Sequence, residues 1–150
     1  MSTFKWANSP STSGLGAALN STELNSLANN GFSAVSAAFD NTSNLNQWFW
    51  FEVILASLNP TAGAYVNIYA VPSLDLTNYA DAPSSTNPGN HLLVATLSIT
   101  TGSAAKRQAT VEAVKLPPGK WKFVVKNGCG VAFASSGNSI NIYSSNDSVA

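Results

Sequence analysis

The stretch Trp48-Phe49-Trp50-Phe51-Glu52-Val53-Ile54-Leu55 decides how this chain is read, because it contains no turn former and no helical spacing of polar positions. In an extended strand successive side chains point to opposite faces, so Phe49, Phe51, Val53 and Leu55 share one side and Trp48, Trp50, Glu52 and Ile54 the other. The first set is uniformly apolar and makes a core face. On the second, each indole N–H and the Glu52 carboxylate need a polar partner, which suits an interface better than a sealed interior.

Outward from this strand the pattern stays at period 2, with turn residues at regular intervals. Candidate strands cover residues 32–39, 47–56, 64–71, 91–100, 107–116, 119–126, 129–135 and 138–144, which predicts an all-β sandwich of about eight short antiparallel strands. In 64–71, Val66, Ile68 and Ala70 face the core, while Tyr65, Asn67, Tyr69 and Val71 make an aromatic-polar surface. In 119–126, Trp121, Phe123 and Val125 point inward and Lys120, Lys122 and Lys126 outward, with Val124 the exception. That strand is expected to have one buried face and one wet face. Across Lys126-Asn127-Gly128-Cys129-Gly130, a three-residue loop would set Val125 against Val131 and Phe123 against Phe133 if the flanking strands form a hairpin. The alternative is that they lie in opposite sheets.

Residues 1–22 are low in aliphatics and read as an extended N-terminal arm, with Phe4 and Trp6 as aromatic anchors; residues 23–150 form the single sandwich domain. Residues 22–29 fit one or two helical turns. The segment 72–90 holds Pro72, Pro83 and Pro88 and no periodicity, so it is expected to be a contact or lid element, with Asp75 and Tyr79 among its contact residues.

The chain has 150 residues, 45% of them apolar and only 9% charged, and its seven Lys and Arg balance seven Asp and Glu. Such a chain offers no electrostatic attraction to nucleic acid or anionic lipid, and it lacks the charge repulsion that keeps copies apart. With Cys129 alone no internal disulfide can form, residues 1–14 have no continuous apolar stretch and are not expected to be a signal peptide, and no apolar run reaches membrane length. The expectation is synthesis in a cytoplasm.

The chemistry of catalysis is sparse. His91 is the single histidine, no nucleophile motif accompanies it, and one Cys with one His cannot close a zinc site. Asp75 and Asp81 could act as a carboxylate pair only if the long loop folds back, and a calcium loop through Asp75, Asn78 and Asp81 lacks the EF-hand spacing. Lys106, Arg107, Lys120, Lys122 and Lys126 read as a solubilising, edge-protecting face. No enzyme activity, metal or cofactor is expected.

The segments AAFDNTSNLNQWFWFEVIL (37–55), GAYVNIYAVPSLDLTNYAD (63–81) and LPPGKWKFVVKNGCGVAF (116–133) resemble small virion proteins of tailed bacteriophages, of the capsid decoration, cement or auxiliary head kind. The likeness runs from about residue 24 to residue 143. It implies a jelly-roll-like β-sandwich that binds the outside of an assembled head in many copies. The partners would be the major capsid protein and neighbouring copies of itself, a trimer at three-fold positions being one arrangement. The place would be the virion surface, after synthesis in the host bacterium. A carbohydrate-binding sandwich on a tail fibre or the capsid is the alternative. The candidate interface residues are Phe4, Trp6, Trp48, Trp50, Glu52, Tyr65, Tyr69, Asp75 and Tyr79. The second face of the 48–55 strand is covered by the chain's own arm or loop, by another protein, or by a glycan.

Overall fold

The computed structural model describes residues 4–6, 17–19, 21–80 and 86–149, with side chains for 22–80 and 86–146. In chain order the elements are β1 (Phe4–Trp6), β2 (Ala17–Leu19), the single-turn helix α1 (Ser21–Leu24), β3 (Phe39–Asp40), β4 (Trp48–Leu58), β5 (Tyr65–Ser73), a 3-10 turn (Asn90–Leu92), β6 (Leu93–Ser98), β7 (Ala104–Ala109), β8 (Val114–Lys115), β9 (Lys120–Gly128), β10 (Ser139–Ser145) and β11 (Asp147–Val149). One sheet has the order β2-β10-β4-β7, with β8 pairing the start of β4. The other has the order β3-β9-β5-β6, and β1 pairs β11 in a small ribbon. The antiparallel pairs are nested: β5 with β6, β4 with β7, β3 with β9, β2 with β10. This is one long hairpin rolled into two facing sheets, a jelly-roll sandwich.

The alternation in β4 holds as expected. Phe49, Phe51, Val53 and Leu55 are fully buried against Val66 and Ile68 of β5, Phe123 and Val125 of β9, and Ile140 and Ile142 of β10. Phe51 meets Phe123 edge-on at 5.6 Å and Phe39 meets Phe49 at 5.8 Å. Each such side chain is worth roughly 1.5–3 kcal/mol of burial, and the offset ring geometry adds to it.

Several boundaries differ from the expectation. Residues 129–135 form no strand, so the hairpin through Asn127-Gly128-Cys129 is not made; the next strand, β10, lies in the sheet opposite β9, and Phe133 reaches the core from a loop. The span 107–116 divides into β7 and β8 around a turn, and α1 is one turn long. Residues 17–19, within the span read as an arm, form an edge strand of the sheet. The segment 32–39 does follow β9, but Phe32 and Phe39 are seven positions apart where their partners Lys126 and Trp121 are five. The two extra residues bulge out, and side chains fill the gaps in the ladder: Val125 N–H donates to Ser33 Oγ (3.0 Å) and Phe123 N–H to Ser36 Oγ (2.9 Å). The expected strand 32–39 is thus reduced to a bridge at Phe32 and the short β3, and between them the backbone N–H groups and hydroxyls of Ser33 and Ser36 together bond β9.

Buried asparagines fasten the connections. Asn127 Nδ2 donates to the carbonyls of Leu27 and Val131, both at 2.8 Å, while its Oδ1 accepts from Cys129 N–H. Asn138 Nδ2 donates to Ala134 O and Asn25 Oδ1, and its Oδ1 accepts from Ala56 N–H. Asn41 holds both the N–H and the carbonyl of Asn46. One amide side chain satisfies two or three loop groups that would otherwise be buried without partners.

Candidate interaction surface

On the outer face of the β2-β10-β4-β7 sheet, register places Trp50 opposite Tyr143 and Glu52 opposite Asn141. Arg107 sits opposite Ile54, one diagonal step from Glu52. Glu52 Oε1 accepts from Arg107 Nε, and Oε2 accepts from Tyr143 Oη (2.8 Å) and Asn141 Nδ2 (3.1 Å). The residue is only 8% exposed. The Arg107 bond holds its carboxyl below the usual range, helped by Asn141 and Tyr143, against burial acting the other way. The same contact with Glu52 pushes the Tyr143 phenol up. Trp48 and Trp50 stay partly exposed, and Lys115 Nζ lies 5.6 Å from the centre of the Trp48 ring. The polar partner that Glu52 required is therefore supplied within the chain. What the face presents is an aromatic strip, Trp48, Trp50 and Tyr143, braced by a satisfied charge network.

The outer face of the β3-β9-β5-β6 sheet is different, and two expectations are corrected there. Tyr69, expected at the surface, is 3% exposed. Val124, the exception to the in/out pattern, is its neighbour in a second apolar cluster with Val71 and Leu92, onto which Phe32, Val35 and Tyr79 pack. The strand expected to have a wet face is thus covered by residues 32–36 and by Tyr79. Lys122 stands 4.3 Å over the Tyr79 ring, and Lys126 lies between Phe32 (5.7 Å) and Tyr65 (5.8 Å), so these lysines lie along aromatic rings. Tyr65 is partly exposed and lies flat on Gly128, where an added Cβ would come within 2.4 Å of the ring.

The remaining candidates are dispersed. Asp75 closes a turn: its Oδ1 accepts from the N–H groups of Thr77 (2.9 Å) and Asn78 (2.6 Å), and its Oδ2 from Asn78 Nδ2 (2.7 Å). These bonds, the Asn78 N–H first, hold its carboxyl far below the ordinary range. It is a structural cap. Asp40 does the same for Thr42, whose hydroxyl and N–H depress it, and lies 3.9 Å from Lys120 Nζ. His91 is exposed in the 3-10 turn that precedes β6. Lys106, expected on an outward face, is buried on the core side of edge strand β7, with its Nζ donating to the carbonyls of Thr101 and Gly102. Burial pushes the Cys129 thiol up to about 11. Asp81 and the side chains of Phe4 and Trp6 lie outside the described residues; the backbone of β1 pairs with β11.

Of the nine interface candidates, then, Trp48, Trp50 and Glu52 share one face, Tyr65, Tyr69 and Tyr79 belong to the other, and Asp75 caps an end loop. Sequence reasoning missed Asn141, Tyr143 and Arg107. The alternation in Ser139-Ile140-Asn141-Ile142-Tyr143 carries the first two, whereas Arg107 is reachable only once strand order is known. Among the described residues, no three His, Cys, Asp or Glu side chains come together so as to hold a metal ion.

No family model matches the chain, and no curated protein matches it. Among solved structures it is similar to the K1 cleaved adhesin domain of Lys-gingipain from Porphyromonas gingivalis W83, at 14% identity over 78% of this chain and 62% of that one, with a TM-score of 0.36. It is also similar to a Bacillus thuringiensis Cry1Da tryptic core variant (11% identity, 82% of this chain, 18% of that one, TM-score 0.36). A third likeness is to dimeric latent PorU from Porphyromonas gingivalis (10% identity, 97% and 13%, TM-score 0.39). The chain spans less than two thirds of the length of each, and likenesses this slight say nothing of function.

Proposed function

We propose that this chain is a non-enzymatic structural protein of a tailed-phage virion, a decoration or cement protein that seats on the assembled head in many copies and stabilises it. Its partners are the major capsid protein and neighbouring copies of itself. The observation that carries this reading is the strip Trp48, Trp50 and Tyr143, braced by a Glu52 carboxylate whose two oxygens are both engaged within the chain. A carboxylate so occupied fixes the side chains around it, and partly exposed aromatics beside it are anchors of the kind interfaces use. The resemblance of residues 37–55, 63–81 and 116–133 to decoration proteins supports the same reading. Gross gains near 25 cal/mol per Å² of apolar surface compete with association costs of several to more than ten kcal/mol, so many copies on a lattice achieve what one contact does not.

The test mixes purified chain with undecorated heads of the phage that encodes it and sediments them. Wild type is expected to co-sediment, and the Trp48→Ser, Trp50→Ser double variant to remain in the supernatant while still unfolding cooperatively. Wild type left in the supernatant, together with absence of the chain from mature particles by mass spectrometry, overturns the proposal. A carbohydrate-binding role draws on the same strip; glycan-array signal with tryptophan quenching, in a chain that ignores heads, would put it first.

A further inference from the structure

The two sheets do not guard their edges equally. β6 ends its sheet, and among the described residues no strand pairs with its far side. Ile99 N–H donates to Ala64 O at 2.9 Å, and the antiparallel register runs on from that pair to Leu97 with Val66 and Ala95 with Ile68. Backbone bonds alternate along an antiparallel ladder, so Ile99, Leu97 and Ala95 bond inward to β5, and the N–H and C=O groups of Thr96 and Ser98 point off the edge. Both residues are exposed. The Thr96 hydroxyl donates to Asn67 Oδ1 (2.8 Å), so it is engaged on β5 rather than on its own backbone.

Sheets protect such an edge with charge, proline or irregular pairing. β7, the end strand of the facing sheet, carries the inward Lys106 and the outward Arg107, and the β3 end of this sheet is broken by the bulged segment 32–39. β6 has neither charge nor proline, and its one irregularity, the extra residue Val94, leaves Ala95 to Ser98 in register. An apolar side chain flanks the open edge. Val111, 96% exposed, belongs to the turn between β7 and β8, and a cleft of about 400 Å³ runs between that turn and Val94, Ala95 and Thr96. Glu112 is the one charge that lines the cleft.

We infer that β6 is a pairing edge for β6 of a second copy, the two strands running antiparallel about a two-fold axis at Leu97, with Thr96 of each opposite Ser98 of the other. The backbone selects the kind of partner, because outward N–H and C=O groups in alternation are answered by an extended strand, and an antiparallel edge is complementary to itself. Charge selects the copy: an uncharged strand on a chain of zero net charge meets no repulsion from its own kind. Glu112 lies beside residues 94–96, so an axis at Leu97 sets the two carboxylates toward opposite ends of the shared ladder. Val111 of each copy is placed against the other's strand. A ladder this short belongs below the roughly 1,200 Å² of a stable complex. Pairing is therefore weak in solution and gains from copies held side by side. It needs only the isolated chain and is independent of what the aromatic strip engages.

Sedimentation velocity of the full chain at rising concentration tests this. The weight-average mass is expected to climb from that of one chain toward twice that value. Hydrogen exchange read by NMR should slow severalfold at the Thr96 and Ser98 amides as concentration rises, while Leu97, already bonded to β5, stays unchanged. Ser98→Pro removes an outward N–H and no bond between β5 and β6, and Ser98→Lys places a charge on the edge of each copy. Each is expected to stay monomeric at every concentration, the lysine variant with the wild-type melting temperature. The Trp48→Ser, Trp50→Ser variant should associate as wild type does. Wild type that stays monomeric throughout, or Ser98→Lys that associates as wild type does, overturns the inference and leaves the virion reading standing. Association lost with the tryptophans and kept in Ser98→Lys assigns it to the aromatic strip, and slowed exchange that spares Thr96 and Ser98 assigns it to another surface. Either result overturns the β6 edge.

Discussion

On the outer face of the β3-β9-β5-β6 sheet the aromatic Tyr69 is sealed under Phe32, Val35 and Tyr79, while on the opposite outer face Trp48 and Trp50 stay partly exposed and the buried group is a carboxylate. Both faces began as aromatic residues at outward positions of a strand. What separates them is the neighbouring chain. Residues 32–36 can lie over Tyr69 because Ser33 and Ser36 hydrogen-bond the edge of β9 on the way past, satisfying the backbone they cover. On the other face a polar network, Glu52 with Arg107, Asn141 and Tyr143, lies between the partly exposed aromatics and satisfies its own charge within the sheet.

The largest effect should separate the faces directly. Tyr69→Ala empties a buried ring from the second cluster and is expected to lower unfolding free energy by about 3 kcal/mol, or roughly 6–12 °C in melting temperature for a chain of this size. Trp50→Ala should cost well under half of that. Urea denaturation of the isolated chain measures both, and equal losses would mean that the Trp50 face is also core. Next comes Asn127→Ala, which strands the carbonyls of Leu27 and Val131 and the N–H of Cys129. About 2 kcal/mol is expected, with faster hydrogen exchange concentrated in residues 27–36, the segment that covers Tyr69.

The alternation in 48–55 was legible because strand geometry alone separates Phe49, Phe51, Val53 and Leu55 from Trp48, Trp50 and Glu52. The sandwich class followed from eight such runs. The covering of Tyr69 and Val124 was not legible, since period 2 tells two faces apart and says nothing of what lies over either. The same blindness hid Lys106, whose neighbour Arg107 faces outward as expected, and Arg107's own partner, which depends on β7 lying beside β4. The buried asparagines were illegible for another reason. In a chain this rich in Asn, Asn127 beside Gly128 has the local look of a turn residue, and only the fold shows that its amide bridges three loop groups.

Glu52→Gln sharpens the account of the exposed face. Arg107 is 69% exposed, so solvent screens the pair and the loss should be about 1 kcal/mol at neutral pH. The carboxyl is held below its ordinary 4.5, so its stabilisation is present above that value and fades as pH falls through the lowered one. The gap between wild type and variant should stay constant from pH 7 to about 5 and close in more acid solution. A gap that widens in acid would contradict the assigned network.

The smallest effect belongs to the cover of the other face. Lys122 lies 4.3 Å over the Tyr79 ring, and Ala80 N–H donates to Pro72 O at 3.0 Å, so the start of the long loop is pinned on β5 by one backbone bond and on β9 by one cation over a ring. Burial, with Asp40 second, pushes the Tyr79 phenol up, consistent with a ring lodged against the sheet. Lys122→Gln removes the charge and keeps most of the stem, so only about 0.5–1 kcal/mol should be lost. Hydrogen exchange should quicken severalfold at residues 77–80 and hold steady at Tyr69 and Val124. If Tyr69 and Val124 loosen as well, Tyr79 is the keystone of the second cluster. If they do not, Phe32 and Val35 seal it alone and the long loop is left to engage something else.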